Sequence, residues 1–280
     1  MAREFMKMKI LKHIIMLSLI AVLGFAQSCG EKSAADLLKE LIFPVQEDVT
    51  LGLQVSQQIA NSPDEFPILD PAVYAESYTY LNAMKNAILQ SGAVQYEDIF
   101  PYELKIIQRD DVVNAFATPG GYIYVYTGLI KYLEKADDLA GVMGHEIAHS
   151  DRRHSVNQMI KNVGVQTLLS IVAGEGSSAQ LAEVIGGFLG LKFSRSDESE
   201  ADEYSVIYLS ETDYACNGAA RFFELIEAQG GAGGPEFLST HPSPANRVVD
   251  INAKATEEGC DTTPIEESMF SYEDFVNSLP

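Results

Sequence analysis

The chain is poor in cysteine and in positive charge, and past its first residues it has no long apolar run. Its three cysteines are Cys29, Cys216 and Cys260, and none lies near another Cys or a His at metal-ligand spacing, which argues against a cysteine-based zinc site. Only 19 Lys and Arg stand against 40 Asp and Glu, a formal net charge of −21, so nucleic acid is not an expected partner. The excess acidity reads as a solvated face that maintains solubility. No stretch beyond the N-terminus reaches the roughly eighteen unbroken apolar residues that cross a bilayer. The run from Val163 to Val172 is too short and meets Gly174-Glu175-Gly176. Self-similarity at a fixed period is also missing, which excludes a repeat array. What is present, 46% hydrophobic and 21% charged residues over 280 positions, suffices for one substantial core.

The N-terminus reads as an export signal. Arg3, Lys7, Lys9 and Lys12 precede an almost wholly apolar run from Ile14 to Ala26, and Gln27-Ser28-Cys29-Gly30 follows. A small residue before Cys resembles a bacterial lipoprotein processing site, which makes residues 1–28 a signal peptide, Cys29 the lipidated first residue, and 29–33 a short tether. Cleavage there removes those four basic residues and Glu4, so the mature charge is about −24. Cys216 and Cys260 then remain as an even pair in an oxidising compartment and are candidates for a disulfide.

Apolar residues at Leu37, Leu38, Leu41, Ile42, Val45, Leu51, Val55 and Ile59 suggest two helical pieces separated at Pro44. Asn61 to Pro71 carries three prolines and reads as a loop, and Ala72 to Gln90 returns to a helical period. From Tyr102 the pattern changes. Leu104–Gln108 and Val112–Ala117 are short β-like runs, Thr118 to Gly121 is a turn, and Tyr122–Tyr126 is dense in aromatic and β-branched residues, predicting a sheet of about three strands. A long helix is expected from Ala136 through Asn162, with Asp137 and Asp138 at its positive end. Further helices are predicted near Asp197–Ser210, Arg221–Ala228 and Ala245–Glu257, with a glycine-rich loop at Gly230–Pro235.

The strongest chemical signal is His145-Glu146-Ile147-Ala148-His149. Four residues along a helix return to the same face, so both imidazoles can address one ion while Glu146 stands beside the open coordination position. Random order gives roughly 0.008 such matches in a chain of this composition, so chance is a weak rival. Leu139, Val142, Met143, Ile147 and Ala148 make the surrounding helix apolar on most sides, and a buried His-Glu-His cluster is costly unless it holds a metal. Zinc suits two neutral imidazoles, one ion per chain. A third ligand is needed, and Glu198 and Asp202, four apart, offer one carboxylate for the metal and one behind a ligand histidine. Spacing does not say which does which. Glu200 and Glu203 project elsewhere and read as solvated charges, and His154 reads as structural.

Three motifs in order carry a likeness to a known family: Gly144 to His149, Ser194-Arg195 leading to Glu198 and Ala201-Asp202, and the run from Asn114 to Gly128. Together with His241-Pro242-Ser243-Pro244-Ala245-Asn246-Arg247 they resemble the zinc metallopeptidases of HtpX, BepA and Oma type, gluzincins related to the prenyl-protein peptidases. The resemblance covers roughly residues 70 to 255. It implies an α+β, mostly helical, zincin-like fold with a small sheet beside the active-site helix. It makes Glu198 the third ligand and Asp202 its neighbour in the outer shell. Arg247 would stabilise an oxyanion, and His241 would assist it or cap the zinc in a latent state.

The same likeness implies an endopeptidase that cuts polypeptide substrates, unfolded or misassembled envelope proteins, with Glu146 as base and then acid. The strand Tyr122, Ile123, Tyr124, Val125 would pair with an extended peptide. The chain lacks the tetratricopeptide array of BepA and the membrane spans of HtpX. The expected organisation is a metallopeptidase domain over 34–260, with N-terminal helices at 34–95, a catalytic core at 100–255 and a tail at 261–280. The expected location is the periplasmic side of a Gram-negative outer membrane, held by the lipid alone. The rival reading is a zinc-binding chaperone that rarely cuts.

Overall fold

The computed structural model describes residues 40–190, 192–228, 236–242, 246–266 and 271–280. Cys29, the Gly230–Pro235 loop and residues 243–245 fall outside that range. The chain divides into a short N-terminal unit ending at Val45 and a unit running Gln46–Pro280. In the first, residues 40–42 are helical and the helix stops before Pro44, whose ring excludes the α conformation from the residue preceding it.

The larger unit opens on α1 (Val45–Ala60) and α2 (Ala75–Leu89). A three-stranded sheet follows, made of β1 (Leu104–Ile107), β2 (Ala115–Thr118) and β3 (Tyr122–Tyr126). Then come α3 (Thr127–Tyr132), α4 (Ala136–Asp151), α5 (His154–Val163), α6 (Val165–Val172) and α7 (Ser178–Leu189). The chain closes with α8 (Arg195–Leu209), α9 (Gly218–Ala228), the short α10 (Phe237–Thr240), α11 (Arg247–Glu258) and α12 (Tyr272–Asn277). This is the α+β, mostly helical architecture the motifs imply.

The spatial order of the strands is β1-β3-β2, with β1 parallel and β2 antiparallel to β3. This corrects one sequence expectation. Tyr122, Ile123, Tyr124 and Val125 lie in the central strand, where Ile123 faces Leu104 on one side and Ala117 on the other. Both of its edges are used within the sheet, so β3 has no backbone groups left for a peptide. The strand against the HExxH helix is β2: the Ala117 amide donates to Glu146 Oε2 at 3.1 Å, and its carbonyl accepts from Ser155 Oγ at 3.2 Å.

α4 is the axis of the unit, and every one of its residues is buried. It is enclosed by β2, α2, α8 and α9. The approach of α9 is possible because Gly141 has no side chain: a Cβ there would overlap the backbone nitrogen of Ala219. At the N-terminal end, Asp137 accepts from the Ala215 amide at 2.8 Å and Asp138 pairs with Arg221, so the carboxylates that suit the helix dipole also anchor neighbours.

The expected single helix from 136 to 162 is broken. Arg153 is left-handed, with φ 60° and ψ 28°, and separates α4 from α5. No glycine or proline marks the place. The break is enforced by Asp48 of α1, which accepts from Arg153 Nε at 2.8 Å and Nη2 at 2.7 Å. Both groups are buried, so the pair is shielded from solvent screening.

The C-terminal helix α12 is packed as well. Tyr272 and Phe275 are buried, the Phe275 ring stacks on Tyr80 at 4.5 Å, and Tyr272 Oη donates to the Ile130 carbonyl at 2.7 Å. Residues 271–280 are therefore packed into the larger unit and are not a free tail. Cys216 and Cys260 are joined by a disulfide, their Cα atoms 6.2 Å apart, which ties the approach to α9 to the end of α11. Among the described residues no helix is long and apolar enough to cross a membrane.

Candidate metal centre

Two helices deliver the ligands. α4 presents His145 and His149 one turn apart, their Nε2 atoms 3.0 Å from each other. α8 starts at a capping box: Ser194 Oγ accepts from the Asp197 amide at 3.2 Å while Asp197 Oδ2 accepts from the Ser194 amide at 3.0 Å. That box fixes the first turn and so aims Glu198 at the two imidazoles, with Oε2 3.6 Å from His145 Nε2 and Oε1 3.5 Å from His149 Nε2. His241, just beyond α10, closes the group, its Nδ1 3.1 Å from Glu198 Oε1 and 3.4 Å from His145 Nε2. One ligand atom from each of these four residues lies within 4.8 Å of all the others, and all four are buried.

The residues fit a divalent cation. His145 Nδ1 is 2.9 Å from Asp202 Oδ1, so the proton of the neutral ring belongs on that side and Nε2 is the atom left for the ion. Glu146 Oε1 is a buried acceptor with no hydrogen bond in the protein, while Glu198 Oε2 faces the Arg247 guanidinium and Oε1 faces His149 and His241, so buried carboxylate charge borders the imidazoles and favours entry of a cation. Two imidazoles and one carboxylate form a donor set of the kind that holds catalytic zinc. The charges point the same way. Burial opposes ionisation of Glu198, yet His241, His145 and His149 override it and hold the carboxyl well below its usual range. His149, desolvated, is pushed well below its usual value and stays neutral. His145 also loses hydration, but Asp202 and Glu198 outweigh that and raise it to about 9, so without an ion its Nε2 holds a proton toward Glu198 that a bound cation would displace. Burial raises Glu146.

Glu146 stands across the site from β2, Oε2 held by the Ala117 amide and Oε1 3.5 Å from His241 Nε2. Beside it opens a cleft of about 160 Å³ whose lining includes Asn114, Phe116, Tyr126, Phe188, Phe193 and His241.

Arg247 does not face that cleft. Its Nε and Nη2 donate to Asp202 at 2.6 and 2.7 Å, its Nη2 lies 2.9 Å from Glu198 Oε2, and the guanidinium rests 3.7 Å over the Phe223 ring. The expectation that it meets a developing oxyanion is corrected by this geometry: the charge is fully buried behind the ligands and committed to the two carboxylates. One other residue departs from its expectation. Glu200, read as a solvated charge, accepts from Arg152 Nε at 2.8 Å and lies 3.3 Å from His154 Nε2, contacts that hold its carboxyl at about 2. His154 in turn has its Nδ1 3.0 Å from His149 Nδ1. Phe193, not singled out by any pattern, stacks on His149 at 3.9 Å. Nothing local in the sequence marks these contacts, because they depend on the break at Arg153.

A helix carrying His-Glu-x-x-His, a carboxylate from a second helix and a small sheet alongside define a gluzincin-type metal centre. Residues 76–255 match Peptidase family M48, and the chain belongs to that family. It is 32% identical over 185 residues to mitochondrial metalloendopeptidase OMA1 of Schizosaccharomyces pombe, a match covering 65% of this chain and 53% of that one. It is 29% identical over 157 residues to metalloprotease YcaL of Escherichia coli, covering 54% and 61%. Against the beta-barrel assembly-enhancing protease of Escherichia coli the identity is 29% over 171 residues, covering 56% and 35%. The matches thus span between about a third and three fifths of these relatives.

Proposed function

We propose that the chain is a zinc-dependent endopeptidase, with His145, His149 and Glu198 as the ligands and Glu146 as the group that moves protons. The observation that carries the reading is the buried convergence of His145 and His149 of α4 with Glu198 of α8, with Glu146 alongside and held by the Ala117 amide. When bound, zinc supplies Lewis-acid activation of water and of the scissile carbonyl. Glu146, whose affinity for a proton is raised by burial, takes the proton of the attacking water at Oε1 and delivers it to the leaving amine. The Ala117 amide keeps Oε2 fixed during that transfer. Asp202 and Arg247 hold His145 and Glu198 in place from behind. An extended polypeptide would enter along β2, the strand beside Glu146, which favours unfolded segments.

His241 supports a second, compatible reading, because its ring lies inside the ligand group. From there it would cap the ion in a latent state, and the substrate's entry would require it to move aside. The leader ending at Cys29 supports an exported lipoprotein, and the name of one relative, the beta-barrel assembly-enhancing protease, supports a place on the periplasmic face of an outer membrane and misassembled envelope proteins as substrates.

Casein cleavage with and without a chelator, in the wild type and Glu146→Gln, tests the central claim. Metal-dependent cutting that falls by at least about 1,000-fold in the variant is the expected result. Stoichiometric zinc without cutting in either protein would instead favour a zinc-binding assembly factor. The latent-cap reading expects His241→Ala to cut faster than the wild type. Incorporation of labelled fatty acid, lost in Cys29→Ser, checks the anchor.

A further inference from the structure

We propose that His154 and Glu200 act as a relay that fixes the tautomer of His149, so that its Nε2 offers a lone pair to the ion. The ion's identity rests on the zinc reading above; the relay itself rests on geometry. In an unbroken helix, five residues rotate a side chain about 140° away from its starting face, and His154 would not meet His149. The left-handed Arg153, pinned by Asp48, re-aims the start of α5 and brings the two rings together. Their Nδ1 atoms are 3.0 Å apart and their centroids 5.0 Å apart, with both residues buried.

Two ring nitrogens can bond only if one carries hydrogen and the other is bare. The choice is made on the far side of His154. Its Nε2 lies 3.3 Å from Glu200 Oε2, and an ionised carboxylate only accepts, so a ring bearing one hydrogen places it on Nε2 and leaves Nδ1 as the acceptor. His149 must then donate from Nδ1, which leaves Nε2 bare, and Nε2 is the atom that faces His145 and Glu198. Glu200 is steadied by Arg152, whose Nε donates to Oε1 at 2.8 Å and whose guanidinium lies 4.4 Å over the Tyr204 ring. The two ligand imidazoles are therefore oriented by unlike means. Asp202 holds His145 directly, whereas His149 is held by an imidazole that a carboxylate orients in turn.

The test pairs two readouts on the whole protein: the ring nitrogen shifts of His149 without added metal, and Zn²⁺ affinity by competition with a chelating fluorophore. The wild type is expected to show a single Nδ1–H tautomer. His154→Phe keeps the ring volume and removes the acceptor. It should give mixed tautomers and a 10- to 100-fold loss of zinc affinity, on the order seen for groups behind a ligand histidine, with the metal-free melting temperature within about 2 °C of wild type. His154→Gln, whose amide oxygen can accept from His149, should recover most of the affinity, and Glu200→Ala should show a smaller loss. An Nε2–H tautomer in the wild type, or unchanged tautomer and affinity in His154→Phe, overturns the relay. If His154→Phe does not fold, Glu200→Ala and His154→Gln carry the same comparison. A wild type that binds no zinc removes the metal reading alone, because the tautomer is read without metal.

Discussion

Glu198 shows how a residue acquires its chemistry from neighbours that lie far away in sequence. Alone it is an ordinary carboxylate; in the fold its oxygens face three imidazoles and a guanidinium, and it stays ionised although buried. Glu198→Gln keeps the volume and removes the charge, so zinc affinity should fall by more than about 100-fold in the chelator competition. Unchanged affinity would move the ligand role elsewhere. Asp138 illustrates the opposite balance. Burial raises its carboxyl to about 6, with Arg221 only partly offsetting this, so between about pH 4 and 6 the native state holds a proton that the unfolded chain has released. The contribution of this group to stability therefore falls as pH rises through that window. Asp138→Asn, neutral throughout, should gain on the wild type by on the order of 2 kcal/mol between pH 4 and 7 in denaturant titrations. Parallel curves for the two proteins would refute this account.

At the scale of elements, α4 carries both the ligands and the packing. Its contact with α9 leaves no room at Gly141, and the obstacle is backbone, which cannot rotate aside as a side chain can. Gly141→Ala adds helix propensity, yet the overlap should dominate and cost about 3 kcal/mol or more, read as a lower denaturation midpoint with an unchanged slope. A stabilised variant would show that α9 can move off α4 freely. The break between α4 and α5 matters for the same reason. The helical period of 136–162 is visible in the sequence, but the buried Asp48–Arg153 pair decides where the helix ends.

The whole molecule is closed by ties between segments remote in the chain. The centre joins α4, α8 and the turn after α10, and the disulfide joins positions 44 residues apart. Cys216→Ser with Cys260→Ser should lower stability by about 2–4 kcal/mol under oxidising conditions, with no difference from the wild type once both are reduced. Zinc should stabilise the native state alone, so the melting temperature should rise with free zinc, by about 4 kcal/mol of stability at a thousandfold excess over Kd, and fall back on chelation. Independence of zinc concentration would show that the group binds no ion.

What the sequence determined by itself was local and periodic. His145, Glu146 and His149 share a helical face because the spacing is four, and Glu198 and Asp202 do so for the same reason. The three strands were legible from their β-branched and aromatic composition. Which carboxylate faces the Nε2 atoms of both imidazoles, which strand lies on the edge beside Glu146, and where Arg247 points were settled only by packing. Strand order has no local signature, since a five-residue apolar run reads the same in the middle of a sheet as at its rim. Asp48 reaches Arg153 across 105 residues, and the left-handed turn at Arg153 brings His154 back onto His149.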